Sequence, residues 1–183
     1  VLDGPIGEKI LNSGTEYWLK GLAFYDAGSR SFYTINKPVR EPSDLKGMKV
    51  RVMQSITSVK MVQAMGGSPT PISWGELYTA LQNGVVEGAE NNLPTFHTSH
   101  QYEVCKYFSM NKHASIPDVL LMSTHIWEQL SEKEKQWLQQ AARESVEKQR
   151  EYWQEARKKA LKVIKEAGVE VVYPDIEPFR ESV

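Results

Sequence analysis

Residues 131–168 read SEKEKQWLQQAARESVEKQREYWQEARKKALKVIKEAG, and this stretch constrains the fold more than any other. Ser131 and Glu134 form the S-x-x-E pattern of a capping box, which favours a helix start. Gly168 stands where a helix C-cap belongs. Apolar or small residues recur between these ends at a period close to 3.6, at Leu138, Ala142, Val146, Trp153, Ala156, Ala160, Ile164 and Ala167. The pattern predicts one long amphipathic helix.

The predicted helix is too long for one compact domain. About 36 residues at about 1.5 Å each give a length of about 54 Å. A compact domain of 183 residues has a radius of gyration of about 16 Å. Such a helix is expected to span two lobes, to kink or to pack against a partner. The sequence leaves open a second arrangement, in which two helices are separated by a break near residues 147–150.

Strand and helix patterns alternate around this segment. Helices are predicted at residues 55–65 and 74–82, and strands at residues 30–35, 49–53, 68–72, 85–89, 102–110, 119–123 and 169–173. Alternation at this spacing predicts an α/β protein whose helices flank a mixed sheet. The strand at 85–89 is expected to enter a loop at Asn91 and Asn92.

Composition argues against several classes of function. The chain has 22 basic and 23 acidic residues, and this balance argues against binding to nucleic acid or to an anionic membrane. No apolar run approaches the roughly 20 residues of a spanning helix, so a soluble protein is expected. The single cysteine, Cys105, excludes an internal disulfide. The first residue is Val1 rather than methionine, so we expect that a leader was removed or that the chain is a piece of something longer.

Candidate catalytic and metal-binding residues carry weak signals. His97 and His100 form an H-x-x-H pair, but no motif of metal-site spacing accompanies them, so no metal is expected. Cys105 lies in the alternating stretch 102–108, which predicts a buried structural thiol on a half-buried strand rather than a nucleophile. No catalytic triad is visible by spacing, and no glycine motif matches a phosphate loop, so no cofactor is expected.

Two arginines within strand patterns are more suggestive. Arg51 lies inside an apolar strand, where a charge is costly unless something pairs with it. Its alternation partners Lys49 and Met53 do not form a convincing core face. The sequence therefore leaves open whether Arg51 points inwards or into solvent. Arg30, which stands between Gly28 and an aromatic strand, carries the same ambiguity.

Five motifs follow one another along the chain. They are DLKGMKVRV at 44–52, WGELYTALQ at 74–82, GVVEGAEN at 84–91, YEV followed by KY within 102–107, and a histidine at His113. In this order they resemble the solute receptors of TRAP transporters (tripartite ATP-independent periplasmic transporters, the DctP family). The resemblance covers most of the chain, and a match of this extent is specific.

The resemblance implies an α/β fold of the periplasmic-binding-protein type, in which two lobes surround a cleft and a long helix spans both. Family members are longer than this chain, so it is expected to hold mostly the second lobe plus the spanning helix. Residues 1–26 are then a remnant of the first lobe and crossover, and 27–115 the second lobe. Residues 116–168 are a strand and the spanning helix, mainly of the first lobe, and 169–183 return to the second.

The same resemblance implies a ligand site of five residues. Arg51 is expected to form a two-pronged salt bridge with the ligand carboxylate and to select organic acids. Arg30 aligns with a second cleft arginine, and Asn91 with an asparagine that hydrogen-bonds the same carboxylate. Trp74 aligns with an aromatic residue that packs on the ligand, and Gln54 with a polar residue just after the strand. A guanidinium offers a rigid planar fork that matches a carboxylate, which lysine cannot reproduce.

The implied function is that of a periplasmic receptor, not an enzyme, that binds a small organic acid and delivers it to the membrane permease subunits of a TRAP transporter. Asn92 replaces the commoner proline after AEN, and the AENN form is similar to receptors for sugar acids such as hexuronates. Two alternatives stay open. One is an α/β enzyme with Glu76 or Glu90 as general base. The other is a truncated fragment without ligand binding of its own, which forms a homodimer.

Overall fold

The structure is a computed structural model that describes residues 2–183. In chain order its helices and strands are α1 (Pro5–Ser13), β1 (Leu19–Tyr25), β2 (Ser29–Thr34), β3 (Lys49–Val52), α2 (Ile56–Ala64), β4 (Ser68–Pro71), α3 (Trp74–Gln82), β5 (Gly88–Asn91), α4 (Leu93–Thr98), β6 (Tyr107–Ser115), β7 (Asp118–Ser123), α5 (Thr124–Gln129), α6 (Glu132–Glu166), β8 (Glu170–Val172) and α7 (Glu177–Glu181). Short 3₁₀ helices lie at Gly14–Tyr17, Pro42–Leu45 and Gln101–Glu103.

The chain divides into two compact units. The first unit comprises the residues up to Ala27 with Ile116–Glu155, and the second comprises Gly28–Ser115 with Ala156–Val183. In the first unit, β1 and β7 form a two-stranded antiparallel sheet. Its small core is Leu22 and Ala23 of β1 with Ala142 of α6, flanked by partly buried apolar side chains such as Val146.

The second unit is built on a six-stranded sheet with the strand order β4-β3-β5-β2-β6-β8. The strands β4, β3 and β5 are parallel to one another, and β6 is parallel to β8. The strand β2 lies between β5 and β6 and is antiparallel to both. The predicted mixed sheet is therefore confirmed.

Two neighbouring residues of β2 divide the core of the second unit into two layers. Phe32 and Tyr33 are both 0% exposed, and successive strand residues point to opposite faces of a sheet. The core around Tyr33 includes side chains of α3, α4 and the C-terminal part of α6, such as Leu77, Phe96 and Ile164. The core around Phe32 includes Val50 and Val52 of β3, Val62 of α2 and Phe179 of α7. Helices therefore cover both faces of this sheet.

The long helix is continuous. α6 runs through 35 residues from Glu132 to Glu166, so the alternative of two helices with a break is wrong. The amide of Ser131 donates to the Glu134 carboxylate at 2.8 Å, and the Glu134 amide donates to the Ser131 hydroxyl at 3.4 Å, which confirms the capping box. Gly168 has a φ of 84° and closes the C-terminus. α6 contributes residues to both units.

Two strand predictions were wrong at their ends. The strand predicted at 85–89 is β5, which runs from Gly88 to Asn91, so Asn91 is the last residue of a strand and not part of a loop. The strand predicted from residue 102 begins only at Tyr107, because residues 101–103 form a 3₁₀ turn. Cys105 therefore lies between these elements, not on a strand. α1 and β1 carried no signal that was recognised in the sequence.

Gly88 fixes how closely β5 approaches β2. A Cβ atom at Gly88 would lie 2.6 Å from the Tyr33 carbonyl oxygen and 2.7 Å from Cγ2 of Thr34. Gly88→Ala is therefore expected to push β5 away from β2 and to lower the free energy of unfolding by about 1–3 kcal/mol, the usual effect of overpacking. Urea unfolding followed by circular dichroism measures this loss.

Gly75 supplies the matched control. It lies in the first turn of α3, and a Cβ atom there would meet nothing within 4 Å. Gly75→Ala is expected to stabilise the chain by up to about 1 kcal/mol, because alanine loses less backbone entropy than glycine in a helix. Equal losses of stability in the two alanine variants would contradict this account of β5.

Candidate functional site

Polar and charged side chains gather on four adjacent strands of the second unit. Arg51 lies on β3, Glu90 and Asn91 end β5, Arg30 lies on β2 and His113 lies on β6. The register brings them to the same end of the sheet, since Arg51 pairs with Ala89 and Ser31 with Asn91.

Arg51 points into the protein. It is 4% exposed, on the face of β3 opposite Val50 and Val52, so the solvent-facing alternative is wrong. Its Nε donates to the Ile72 carbonyl oxygen at 2.9 Å, and Cζ lies 5.7 Å from the centroid of the Trp74 ring, within cation–π range. Burial lowers the pKa of Arg51, but a guanidinium keeps its charge in proteins.

Arg30 has a carboxylate partner. Its Nε lies 2.5 Å from Glu90 Oε2, and its Nη2 donates to Oε1 of the same carboxylate at 2.8 Å. Nη2 also donates to the Glu90 carbonyl oxygen at 2.9 Å. The side chains of Arg30 and Glu90 are 13% and 1% exposed, so this bidentate ion pair joins a partly buried guanidinium to a buried carboxylate.

The guanidinium groups of Arg30 and Arg51 differ in how many of their N–H donors are hydrogen-bonded to protein atoms. A guanidinium has five N–H donors. Arg30 uses four of them, counting its three bonds to Glu90 and one from Nη1 to Asn91 Oδ1 at 3.0 Å. Arg51 uses one, the bond from Nε to Ile72. Within residues 2–183, no acidic side chain lies within salt-bridge distance of Arg51, and its two Nη groups make no hydrogen bond.

The amide of Asn91 is oriented by two neighbours. Its Oδ1 accepts from Arg30 Nη1 at 3.0 Å and from the backbone amide of Asn92 at 2.8 Å. Asn91 is 8% exposed, and both bonds fall on its oxygen, so its NH₂ group is the part left to donate. Arg30 thus positions Asn91 as well as pairing with Glu90.

His113, the histidine of the fifth motif, is a second neighbour of Glu90, and the sequence did not predict this contact. The side chain of His113 is 0% exposed, and its Nε2 lies 3.5 Å from Glu90 Oε2, at the outer limit of a hydrogen bond. Its Nδ1 lies 3.2 Å from Asn111 Oδ1, and its ring stacks on Phe32 at 4.3 Å. Burial opposes ionisation of Glu90, but His113 and Arg30 outweigh it and lower the pKa of Glu90.

The two remaining predicted site residues, Trp74 and Gln54, differ in whether they contact another residue of the site. Trp74 begins α3, is 46% exposed and joins the group through its contact with Arg51. Gln54 is exposed in a bend beyond the end of β3. In the part of the chain that the structure describes, no hydrogen bond ties the Gln54 side chain to the other four residues. The structure therefore joins Arg51 to Trp74 and Arg30 to Asn91 by direct contacts, and the placement of Gln54 in the site stays a prediction.

Other candidates from the sequence lie outside this group. His97 is on α4, whereas His100 lies beyond its end with a φ of 57°, and residues 2–183 hold no group of three or more side chains suited to a metal. Burial raises the pKa of Cys105 to about 12, which leaves the thiol protonated. Glu76 accepts a hydrogen bond from the Ser73 hydroxyl at 2.5 Å. No helix in residues 2–183 is long and apolar enough to cross a membrane.

Comparison with known proteins identifies the class to which this site belongs. The family model described as DctP, bacterial extracellular solute-binding protein, family 7, matches residues 1–183. The chain belongs to this family of solute receptors. A solute-binding protein of Chromohalobacter salexigens is 39% identical over 171 residues, which are 93% of this chain and 51% of that protein.

Solved structures agree with this family and extend the comparison to ligands. A TRAP periplasmic solute-binding protein from Xanthobacter autotrophicus Py2, with bound β-D-galacturonate, is 41% identical with a TM-score of 0.95 over 100% of this chain and 61% of that chain. A relative from Chromohalobacter salexigens with bound D-glucuronate is 38% identical with a TM-score of 0.96, over 99% of this chain and 60% of that one. The chain therefore spans about half to three fifths of the proteins it matches.

The lowered pKa of Glu90 predicts how stability depends on pH. A carboxyl whose pKa is lower in the folded state adds stability that is complete above its unfolded pKa of about 4.3 and is lost as the pH falls through the folded value. Glu90→Gln is expected to weaken this acid dependence. It should also cost about 3–5 kcal/mol at neutral pH, because the mostly buried Arg30, 13% exposed, is left without its carboxylate partner. Urea unfolding at a series of pH values measures both effects.

The exposed pair of Arg40 and Glu170 is the control, because its side chains are 61% and 52% exposed at a separation of 3.1 Å. Glu170→Gln is expected to change the free energy of unfolding by less than about 1 kcal/mol. If Glu90→Gln were as mild as Glu170→Gln, the buried pair would not be a structural requirement of the site.

Proposed function

We propose that this chain is the ligand-binding part of an extracytoplasmic receptor of a TRAP transporter, and that it binds a sugar acid through Arg51. Hexuronates are the first candidates. The observation that carries the proposal is the buried guanidinium of Arg51, which lacks an acidic partner within residues 2–183 while Arg30, on the same sheet, has one.

A carboxylate is the ligand group that this arrangement favours. A buried charge is costly unless a partner of opposite charge compensates it. The two Nη groups of Arg51 form a planar fork that suits two carboxylate oxygens. The NH₂ group of Asn91 supplies a further donor for the same anion. Two guanidinium groups and one carboxylate also leave this end of the sheet with an excess of positive charge.

A sugar ring is a suitable body for the ligand. Trp74 leaves about half of its surface exposed and lies against the Arg51 guanidinium, so its indole offers a flat apolar surface next to the anion-binding fork. The receptors from Xanthobacter autotrophicus and Chromohalobacter salexigens, which carry bound galacturonate and glucuronate, support a hexuronate for this chain. Their ligands combine one carboxylate with a hydroxylated ring.

The proposed receptor role also concerns the lobes of the protein, its location and its partners. We take the second unit, Gly28–Ser115 with Ala156–Val183, as the second lobe, and the first unit as part of the first lobe. The family is described as extracellular, which supports a periplasmic location. Delivery to membrane permease subunits follows from the family alone, and the homodimer that the sequence left open stays a prediction. The relatives are solute-binding proteins, so the enzyme alternative has no support from them.

Arg51→Lys and Arg51→Ala test the proposal in the full-length receptor that contains this chain. Lysine keeps the charge but lacks the planar fork, and alanine lacks both, so galacturonate or glucuronate binding should weaken by about 2–5 kcal/mol. That loss is more than about thirtyfold in Kd. Isothermal titration calorimetry measures the affinity, and a thermal melt shows that the variant is folded.

Arg40→Lys is the matched control, because Arg40 is an exposed arginine of the second unit whose partner Glu170 lies on the surface. Its affinity for either hexuronate should equal that of the unaltered receptor. Near-native affinity in Arg51→Ala would refute the assignment of Arg51 to the carboxylate. Release of a converted product from the uronate would instead support the enzyme alternative.

A further inference from the structure

We infer that Asn92 is a positioning residue for the ligand site, and that it acts through its backbone N–H group rather than through its side chain. The inference rests on the proposed function, in which the NH₂ group of Asn91 donates to the ligand carboxylate. The Asn92 N–H donates to Asn91 Oδ1 at 2.8 Å. The same oxygen accepts from Nη1 of the Arg30 side chain at 3.0 Å.

Asn91 lies on the same face of the sheet as Arg51. The strands β3 and β5 are parallel, and Arg51 pairs in register with Ala89, two residues before Asn91. Side chains two residues apart on a strand share a face. Neighbouring strands lie about 4.8 Å apart and two residues advance a strand by about 6.6 Å, so the backbones at Arg51 and Asn91 are about 8 Å apart. This spacing lets one carboxylate bind both side chains.

The direction of the Asn91 amide follows from its two hydrogen bonds. A side-chain amide carries an acceptor oxygen and a donor NH₂ group. Reversal of the amide would put its NH₂ group against the N–H groups of Asn92 and Arg30, so the oxygen stays on their side. The Arg30 guanidinium ends a long side chain, whereas the Asn92 N–H belongs to the backbone. The backbone bond is therefore the more rigid restraint on the amide.

The side chain of Asn92 has a separate role. Its Oδ1 accepts from the Thr95 amide at 2.8 Å and caps the N-terminus of α4. Such a cap stabilises the helix that follows it. The cap and the bond to Asn91 use different atoms of Asn92, so substitutions can separate them. Alanine removes the cap and keeps the N–H, whereas proline removes both.

The backbone at position 92 suits proline. The φ of Asn92 is −75°, close to the value of about −65° that the proline ring imposes. Asn91 ends a strand, and the extended conformation is the one that a residue before proline favours. The N–H that proline removes is bound to the Asn91 side chain rather than to a neighbouring strand. Asn92→Pro therefore deletes the bond to Asn91 without breaking the pairing of β5.

The test compares galacturonate binding to Asn92→Pro and to Asn92→Ala by calorimetry on the full-length receptor. The alanine variant is the reference, because both variants lose the cap of α4 and only proline loses the N–H. We expect the Kd of Asn92→Pro to be about threefold to tenfold higher than that of Asn92→Ala, the range of one net hydrogen bond. Thermal melts show that both variants are folded. Equal Kd values in the two folded variants would overturn the inference.

A second comparison separates positioning from a shift of the backbone. Asn91→Ala removes the amide that the Asn92 N–H orients. With alanine at position 91, the proline and alanine variants of Asn92 should bind galacturonate equally within about twofold, because the N–H has nothing left to position. A proline effect of the same size with and without the Asn91 amide would overturn the inference, because it would come from a displaced backbone.

Asn91→Asp covers the case in which Asn92→Pro does not fold. An aspartate keeps an oxygen for the Asn92 N–H but puts its second oxygen where the NH₂ group faces the ligand. Two carboxylates that share one site repel each other, so Asn91→Asp should bind galacturonate at least about tenfold more weakly than Asn91→Ala. Equally tight binding by these two variants would show that the NH₂ group does not face the ligand, and would overturn the inference.

The outcomes separate this inference from the proposed function. If the unaltered receptor bound neither galacturonate nor glucuronate, the proposed function would be wrong, and the inference with it. If the receptor bound galacturonate through Arg51 but the proline and alanine variants of Asn92 had equal affinity, only the inference would be overturned.

Discussion

The site depends on one constraint: of the two arginines on these strands, only Arg30 has a carboxylate within salt-bridge distance in residues 2–183, although Arg51 is the more deeply buried of the two. Glu90 satisfies Arg30, and the bonds around that pair fix the orientation of Asn91. Arg51 is left with one backbone partner and an aromatic neighbour. Among residues 2–183 the fold therefore keeps the Arg51 charge largely out of water without a direct salt bridge, which a protein tolerates at functional sites more often than in its core.

The sheet makes this arrangement possible by separating its two faces. On β3, Val50 and Val52 belong to one apolar layer, and the alternation of side chains directs Arg51 to the opposite face. The neighbouring strands supply the polar groups at one end, while Phe32 and Tyr33 of β2 anchor the two layers. The absence of a side chain at Gly88 lets β5 approach β2 closely enough to bring Glu90 to Arg30. Packing and ligand recognition thus depend on the same few strands.

Local patterns predicted most elements, and long-range contacts explain what they missed. The helix at 74–82 was predicted at its observed bounds, and the capping pair Ser131 and Glu134 located the start of α6. Val85 and Val86 suggested a strand that actually begins at Gly88, because pairing with β2 and β3 decides where β5 forms. The direction of Arg51 could not be read from Lys49 and Met53, since it depends on neighbours on either side of β3. The partner of Arg30 is 60 residues away in sequence, beyond the reach of any local pattern.

The order in which the strands occur along the chain has a consequence for biosynthesis. The first unit pairs β1 at Leu19–Tyr25 with β7 at Asp118–Ser123, whereas β2 to β6, which lie between them in sequence, belong to the second unit. On the ribosome, five of the six strands of the larger sheet are complete before β7 has been synthesised, so β1 waits without its partner while they assemble. An unpaired strand is a template for association with other chains, so the long sequence separation between β1 and β7 lengthens the time in which β1 can associate wrongly.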